Sequence, residues 1–105
     1  MPIDAPGLVV VTIAYDSGAV LPALAADLAR QSRPPRTWLL VDNSPQRAPL
    51  VATPLAASGV PLRCLVGAEG DGFGAGCNRA FDHLASEGWR GWVWLLNPDT
   101  ALPRG

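Results

Sequence analysis

The sequence predicts an α/β domain built around a mainly parallel sheet, and three observations support that prediction. Several runs are continuously apolar and rich in β-branched residues, which is typical of strands buried on both faces of a sheet. Two segments with apolar residues at helical spacing lie between pairs of such runs. The resulting order, strand-helix-strand-loop-strand-helix-strand, implies parallel strands joined by right-handed crossovers.

The first strand and helix are predicted in the N-terminal third of the chain. Leu8 to Ala14 is expected to be a central strand, and Ser17 is the expected N-cap of the helix that follows. Pro22 is compatible with this helix because it falls in the first turn. Arg33-Pro34-Pro35 is expected to end the helix, whose predicted inner face carries Leu21, Leu24, Ala25 and Leu28.

The middle third is predicted to contain two more strands. Residues 37–41 form the second buried strand, which ends in the polar pair Asp42-Asn43. Residues 46–59 are interrupted by two prolines and are assigned as a loop with at most a short helix. Residues 61–66 form a third and shorter strand.

The last third begins with a glycine-rich loop at residues 67–76. A helix follows it and is expected to end near Gly88, with an inner face formed by Cys77, Phe81 and Leu84. Residues 92–96 are predicted as a strand buried on both faces. Because a proline cannot donate to a strand ladder, Pro98 ends this strand and holds Asp99 on a stiff turn.

Size and composition exclude several classes of protein. The 105 residues match one domain, so we take residues 1-105 as a single domain or one part of a domain. Hydrophobic residues make up 49% of the chain, which allows a buried core and argues against disorder. The net charge of −1 predicts no binding to nucleic acid. No apolar run approaches a membrane span and no signal peptide is recognisable, so we expect a cytoplasmic protein.

Three residue types receive structural rather than catalytic interpretations. Both cysteines are expected to be buried free thiols, Cys64 in a strand and Cys77 on a helix. The only histidine, His83, is expected at the surface of a helix, and a single histidine argues against zinc. The tryptophans are expected to pack in the core and on the sheet faces rather than stack on sugars: Trp38, Trp89, Trp92 and Trp94.

Polar residues follow three of the predicted strands, at Tyr15-Asp16, Asp42-Asn43 and Asn97-Pro98-Asp99. In open α/β sheets, ligands bind outside the carboxyl ends of the strands. The glycine-rich loop and the helix after it offer backbone amides that favour anions. This combination suits a metal-bound nucleoside diphosphate, with oxygen ligands such as Asp99 selecting Mg²⁺ or Mn²⁺. The alternative for residues 97–100 is a turn that caps a following helix.

Four segments carry a resemblance to a known family: residues 9–15, 41–44, 72–79 and 95–100. In this order along the chain, they resemble the N-terminal half of a family 2 glycosyltransferase with the GT-A fold. They are most similar to the branch that includes rhamnosyltransferase-like enzymes. The resemblance implies a three-layer α-β-α, Rossmann-like arrangement and a site for a nucleotide-sugar donor.

The resemblance also implies roles for individual residues. Asp42 would hydrogen-bond the nucleobase, and Asn78 and Arg79 would lie near the base or the diphosphate. The nucleoside pocket would be lined by Thr12, Ala14 and Tyr15.

The metal site implied by the resemblance consists of Asp99, with Asn97 beside it. Two positions depart from the family pattern. Gly70 stands where an asparagine is usual, and Asn97 stands where the family's D-x-D motif has its first aspartate. With one anionic ligand instead of two, we expect weaker binding of Mg²⁺ or Mn²⁺.

The implied reaction is inverting transfer of a hexosyl or rhamnosyl unit from a UDP- or dTDP-sugar. The acceptor would be a cell-surface polysaccharide, a lipid-linked sugar or a similar glycan, in cell wall or polysaccharide biosynthesis. The catalytic base is expected downstream of residue 105, so the chain alone is predicted to hold the donor half of the site and to be inactive. The protein is expected in the cytoplasm, or peripherally at the inner face of the membrane if the missing part attaches it there.

Two alternatives stay open from the sequence. Gly70-x-Gly72-x-x-Ala75 fits the dinucleotide fingerprint, follows a strand and precedes a helix, with Asp99 downstream, which would suit a dinucleotide-binding Rossmann-type module. The other alternative is a fragment without independent activity.

Overall fold

The computed structural model describes residues 7–15, 19–32, 35–43, 59–68 and 71–102. Its four strands form one parallel sheet in the order β3-β2-β1-β4. The predicted α/β class with a parallel sheet is therefore confirmed. Along the chain the elements are β1 (Leu8–Ala14), α1 (Leu21–Ala29), β2 (Thr37–Asp42), β3 (Leu62–Val66), α2 (Phe73–Ser86) and β4 (Trp92–Leu95).

The two helices cover opposite faces of the sheet, which makes the three-layer arrangement. Because side chains alternate along a strand, Val10 and Ala14 of β1 point to the α1 face and Val9 and Val11 to the α2 face. Each face has its own apolar core, and both cores centre on β1 and β2. None of the helices in the described part of the chain is long and apolar enough to span a membrane.

Helix α1 begins later than the sequence predicts. Its N-cap is Val20, which makes no side-chain capping bond, so the expectation that Ser17 caps the helix is wrong. Pro22 does lie in the first turn, where its missing N–H costs no helical hydrogen bond. The helix ends before the predicted Arg33-Pro34-Pro35 stop, with Arg30 as its C-cap. The predicted inner face is confirmed by the burial of Leu21, Leu24, Ala25 and Leu28.

Helix α2 confirms most, but not all, of its predicted inner face. Cys77 and Leu84 are buried, together with Ala80 between them. Phe81 is 42% exposed, so its predicted place in the core is wrong. One residue past Ala80 is about 100° further around the helix, which turns Phe81 away from the sheet. Gly88 takes a φ of +75° just after the C-cap, which is how a glycine ends a helix.

Strand β4 departs most clearly from its prediction. All four of its residues are exposed, from Leu95 at 39% to Trp92 at 69%. The burial on both faces that its apolar sequence predicts is not reached in the described part of the chain, because β4 lies there at the edge of the sheet with β1 as its neighbour, while α2 packs on β1 and β2. Only Leu96, directly after the strand, is buried.

The same edge effect explains the tryptophans and cysteines. Trp38 on the central β2 is fully buried, as predicted, whereas Trp92 and Trp94 on β4 are exposed and their predicted packing is wrong. Cys77 is a buried free thiol, but Cys64 is exposed because it lies on the other edge strand, β3. The predicted loop at residues 46–59 lies outside the described residues except for Gly59.

Candidate functional site

The carboxyl ends of β1, β2 and β3 are joined by main-chain hydrogen bonds at one edge of the sheet. Ala14 pairs with Asp42 in register, and the next amide, that of Asn43, donates to the Ala14 carbonyl over 2.8 Å. The Gly67 amide donates to the Asp42 carbonyl, also over 2.8 Å. The end of β2 is therefore held on both sides. Asp42 is half-buried there, and the exposed Tyr15 directly follows Ala14, the partner of Asp42 in the sheet.

Strand β4 contributes a separate turn to this edge. The Thr100 amide donates to the Asn97 carbonyl over 3.1 Å, and both Asn97 and Asp99 are exposed. The turn is anchored before and after. Leu96 is buried ahead of it, and beyond it the Leu102 amide donates to an Asp27 carboxylate oxygen of α1 over 3.0 Å. No helix begins between the turn and Leu102, where the described residues end.

The ends of β2 and β4 lie on either side of β1. Adjacent strands are about 4.8 Å apart, so the two ends are separated by about 10 Å across the sheet. Leu95, the last residue of β4, pairs with Val11, whereas Asp42, the last residue of β2, pairs with Ala14. Measured along β1, strand β4 therefore ends three residues before β2 does. The ends of β2 and β4 are therefore not level with each other at this edge of the sheet.

Helix α2 points its N-terminus at the same edge. Its N-cap is Gly72, which has no side chain to cap the first amides of the helix. The first helical hydrogen bond starts at this residue, because the Gly76 amide donates to the Gly72 carbonyl over 3.0 Å. Amides in the first turn of such a helix favour a negatively charged group.

Arg79 on α2 is held by a carboxylate from the loop. Its Nη2 donates to Asp71 Oδ2 over 3.0 Å, and the same oxygen accepts from the Ala68 amide over 3.0 Å. The amide of Ala68, and then the guanidinium of Arg79, hold the pKa of Asp71 below its usual value. An open depression of about 370 Å³ lies beside this pair, lined by Asp71, Ala75, Asn78, Arg79 and Asp82.

The predicted nucleoside residues divide into exposed and buried groups. Tyr15 is 63% exposed, whereas Thr12 and Ala14 are completely buried. The Thr12 hydroxyl accepts a hydrogen bond from the Trp38 indole over 3.0 Å. Tyr15 and Asp42 are thus the two members that solvent reaches, and the other two support them from inside the sheet.

The predicted metal ligands, Asp99 and Asn97, are compatible with a divalent ion that is bound jointly with a diphosphate. Asp99 and Asn97 offer one carboxylate and one amide oxygen from a single exposed turn. Within the described ranges, no group of three or more acidic, histidine or cysteine side chains could hold a metal by itself. Mg²⁺ is often bound by one or two carboxylates with phosphate oxygens and waters completing its shell. These residues therefore fit a metal that arrives with a diphosphate, not a closed protein site.

Asn43 was placed at a strand end by the sequence, but sequence reasoning gave it no role in the site. Its side chain is buried at 5% exposure, and its Nδ2 donates to the Gly72 carbonyl over 3.2 Å. This bond joins the end of β2 to the start of α2. The sequence feature that could have indicated this role is an asparagine directly after the aspartate that ends β2, in a chain that also carries a glycine-rich loop.

The opposite edge of the sheet has a cavity of its own. This cavity, of about 300 Å³, lies where the strands begin and includes Arg63, His83 and Glu87 in its lining. Arg63 donates to Glu87, and His83 Nε2 lies 3.5 Å from the other Glu87 oxygen. It is remote from the carboxyl ends of the strands, so it does not belong to the candidate site. His83 is half-buried among these groups.

An open parallel sheet between two helical layers, with polar side chains and a helix N-terminus at the carboxyl ends of the strands, defines a Rossmann-like ligand-binding domain. The family model for glycosyl transferase family 2 matches residues 9–105 of this chain. The chain therefore belongs to glycosyl transferase family 2. No curated protein matches it.

Membership of the family has two direct consequences. It supports glycosyltransferase activity, with a nucleotide sugar as the general type of donor. It also favours a nucleotide-sugar site over the dinucleotide-binding alternative. The resemblance to the family is confirmed, and the rhamnosyltransferase-like branch stays a prediction.

Proposed function

We propose that the carboxyl edge of this sheet binds a UDP- or dTDP-sugar, with Mg²⁺ or Mn²⁺, as the donor half of an inverting glycosyltransferase site. The carrying observation is the matched ends of β1 and β2. They bring Asp42 and the exposed Tyr15 together at an edge that the N-terminus of α2 also faces. A nucleoside diphosphate has the base, diphosphate and charge that such an edge can receive.

The base end of the donor is assigned to Asp42 and Tyr15. The carboxylate of Asp42 would accept a hydrogen bond from an N–H of uracil or thymine, and Tyr15 would contact the nucleoside. Thr12 and Ala14 act beneath them, because both are buried and Thr12 is bonded to Trp38. In this arrangement the sheet supplies rigidity and the strand ends supply contacts.

The diphosphate is assigned to the start of α2. The first-turn amides after Gly72 would donate hydrogen bonds to the phosphate oxygens, and Asn78 and Arg79 lie further along the same helix. Arg79 is already oriented by Asp71, so its guanidinium carries less net positive field than a free arginine would. We therefore assign the helix amides the main role and Arg79 a supporting one.

The metal is assigned to Asp99, with Asn97 as a neighbouring oxygen donor. A divalent ion there would neutralise charge on the departing nucleoside diphosphate. In the proposed transfer, the acceptor hydroxyl oxygen forms the new bond at the anomeric carbon as the bond to the diphosphate breaks. The diphosphate takes the electron pair and the hydroxyl proton passes to a base, a role that we assign to none of the described residues.

The proposed acceptor is a cell-surface polysaccharide or a lipid-linked sugar, and the proposed sugar is a hexose or rhamnose. The proposed location is the cytoplasm or the inner face of the membrane. These assignments follow the resemblance of the four segments to the rhamnosyltransferase-like branch.

Calorimetric titration of the full chain tests the donor assignment. UDP and dTDP are each titrated with Mn²⁺ and with EDTA, and NAD serves as the ligand of the alternative module. We expect binding of at least one nucleoside diphosphate, tighter with Mn²⁺, and no binding of NAD. Binding of NAD without binding of either diphosphate would contradict the proposal.

A further inference from the structure

Asn43 combines a buried hydrogen bond with a buried atom that has none. Nδ2 donates to the Gly72 carbonyl, 29 residues away along the chain. Oδ1 is also buried, and within the described part of the chain it accepts no hydrogen bond. Buried polar atoms in native proteins are nearly always paired. An apolar side chain would have filled this position without leaving an acceptor unpaired, so packing alone does not account for an asparagine here.

The surroundings of Asn43 are shaped by two glycines. A Cβ added at Gly67 would lie 1.7 Å from Asn43 Oδ1, which is far inside contact distance. A Cβ added at Gly76 would lie 3.0 Å from Asn43 Nδ2 and 2.7 Å from a methyl group of Ile13. The amide therefore occupies space that exists only because both positions lack a side chain. It is wedged between the end of β3 and the first turn of α2.

This wedge connects the two halves of the proposed donor site. On one side, Asn43 directly follows Asp42, and its own amide is bonded to the Ala14 carbonyl. On the other side, it holds the carbonyl of Gly72, the N-cap of α2. A change at this one side chain would alter the separation between the end of β2 and the first-turn amides of the helix.

We propose that Asn43 is a positioning residue that holds the base-binding end of β2 and the diphosphate-binding start of α2 at the spacing of one nucleoside diphosphate. This inference rests on the proposed function of the same edge. Because Oδ1 is sealed from solvent, Asn43 does not touch the ligand and acts only through Asp42 and α2. Its effect should therefore appear for ligands that occupy both subsites together.

The structural half of the proposal is tested with Asn43→Ala, Gly67→Ala and the double variant. Gly67→Ala alone should lower Tm by several degrees, because the new methyl group meets the Asn43 amide. In the Asn43→Ala background that obstacle is gone, and the next contact, with the Asp42 carbonyl at 3.4 Å, is ordinary. The second change should then cost nothing in Tm. If the losses in Tm of the two single variants add up in the double variant, the Asn43 side chain is not what a side chain at position 67 would meet, and this packing of Asn43 against Gly67 is wrong.

The functional half is tested by titrating UDP and uridine, each with Mn²⁺, into the same variants. For Asn43→Ala and the double variant, we expect Kd for UDP to rise at least tenfold and Kd for uridine to change less than twofold. Leu84→Ala, in the core under the far end of α2, is the control. It should lower Tm and leave both dissociation constants unchanged.

The outcomes separate the two claims. Unchanged UDP binding in Asn43→Ala, or equal losses for UDP and uridine, would overturn the positioning role while leaving the proposed function in place. Failure of the unmodified chain to bind UDP or dTDP would overturn the proposed function and this inference with it. Recovery of UDP affinity in the double variant would also overturn the positioning role, since that variant still lacks the bond to Gly72.

Discussion

Strands β2 and β4 have closely similar sequences and opposite surroundings. Each carries a tryptophan followed by aliphatic residues, and each has an aspartate and an asparagine at its carboxyl end: Asp42-Asn43 at the end of β2, and Asn97-Pro98-Asp99, separated from β4 by one residue. Trp38 in β2 is completely buried, whereas Trp94 in β4 is 40% exposed. The difference comes from position in the sheet. β2 has a strand on each side and a helical layer on each face, whereas β4 has β1 as its only neighbouring strand among the described residues.

The polar ends of the two strands differ in the same way. After β2, the Asn43 side chain turns inward and joins the glycine loop to the sheet. After β4, Asn97 and Asp99 stay exposed on a turn that is anchored by buried neighbours. The two asparagines thus differ in role, since Asn43 belongs to the scaffold and Asn97 is a candidate ligand. An asparagine and an aspartate at the end of an apolar strand therefore indicate a site, but the neighbouring elements decide the role of each residue.

The largest difference should appear when the same aliphatic truncation is made in both strands. Leu40→Ala in β2 should lower the free energy of unfolding by about 2–5 kcal/mol, because a fully buried side chain leaves a cavity. Leu95→Ala in β4 should cost less than about 1 kcal/mol, because that side chain is already 39% exposed. Urea unfolding followed by circular dichroism measures both. Equal losses would mean that β4 is covered in solution.

The tryptophans offer a second and smaller contrast. Trp38→Phe removes the indole donor to the buried Thr12 hydroxyl and should cost about 1–3 kcal/mol. Trp94→Phe should change stability by no more than about 0.5 kcal/mol, as expected for a surface substitution. Thr12→Val combined with Trp38→Phe removes both partners and should recover part of the loss. A lack of recovery would show that cavity formation, not the unpaired hydroxyl, dominates.

The aspartates after the two strands should differ in their dependence on metal. With Asp99→Ala, affinity for UDP or dTDP in Mn²⁺ should fall about tenfold, to the value measured in EDTA, which corresponds to about 1.4 kcal/mol. With Asp42→Ala, affinity should fall by a similar factor in Mn²⁺ and in EDTA, since a base contact does not involve the ion. Glu87→Gln, at the opposite edge, is the matched control and should have no effect. A metal-dependent loss for Asp42→Ala would place both residues at the ion.

The smallest effect reports on the charge at the end of β2. Although Cys64 is exposed as a residue, partial burial of its thiol, and then the negative charge of Asp42, raise the pKa of that thiol. Asp42→Asn removes that charge and should lower the pKa, so more thiolate is present at a fixed pH below it. Alkylation of Cys64 by iodoacetamide at pH 8 should then be faster than in the unmodified protein. Cys77, which is buried, should react slowly in both proteins. An unchanged rate of Cys64 alkylation would mean that the charge of Asp42 does not influence the Cys64 thiol.

The candidate site was partly predictable from sequence. The strand ends at Asp42 and Asn97 were identified because a switch from apolar to polar residues marks where a strand leaves the core. The buried side chain of Thr12 and the wedge at Asn43 were not, since both depend on partners far along the chain, Trp38 and Gly72. The periodicity of a sequence predicts which residues of one element lie on the same face. It does not predict which residue of a distant element will contact them.

The sequence alone determined the type and order of the elements, the parallel α/β class and the family, because each depends on local spacing or on short motifs in order. The tertiary structure decided which strands are central and which lie at the edges. It therefore decided that β1 and β2 are buried, that β4 and Cys64 are exposed, and that Asn43 lies between Gly67 and Gly76. The physical reason is that burial depends on the number of neighbours around a strand. An apolar run reveals that a strand can be buried, but only the packed sheet determines whether it is.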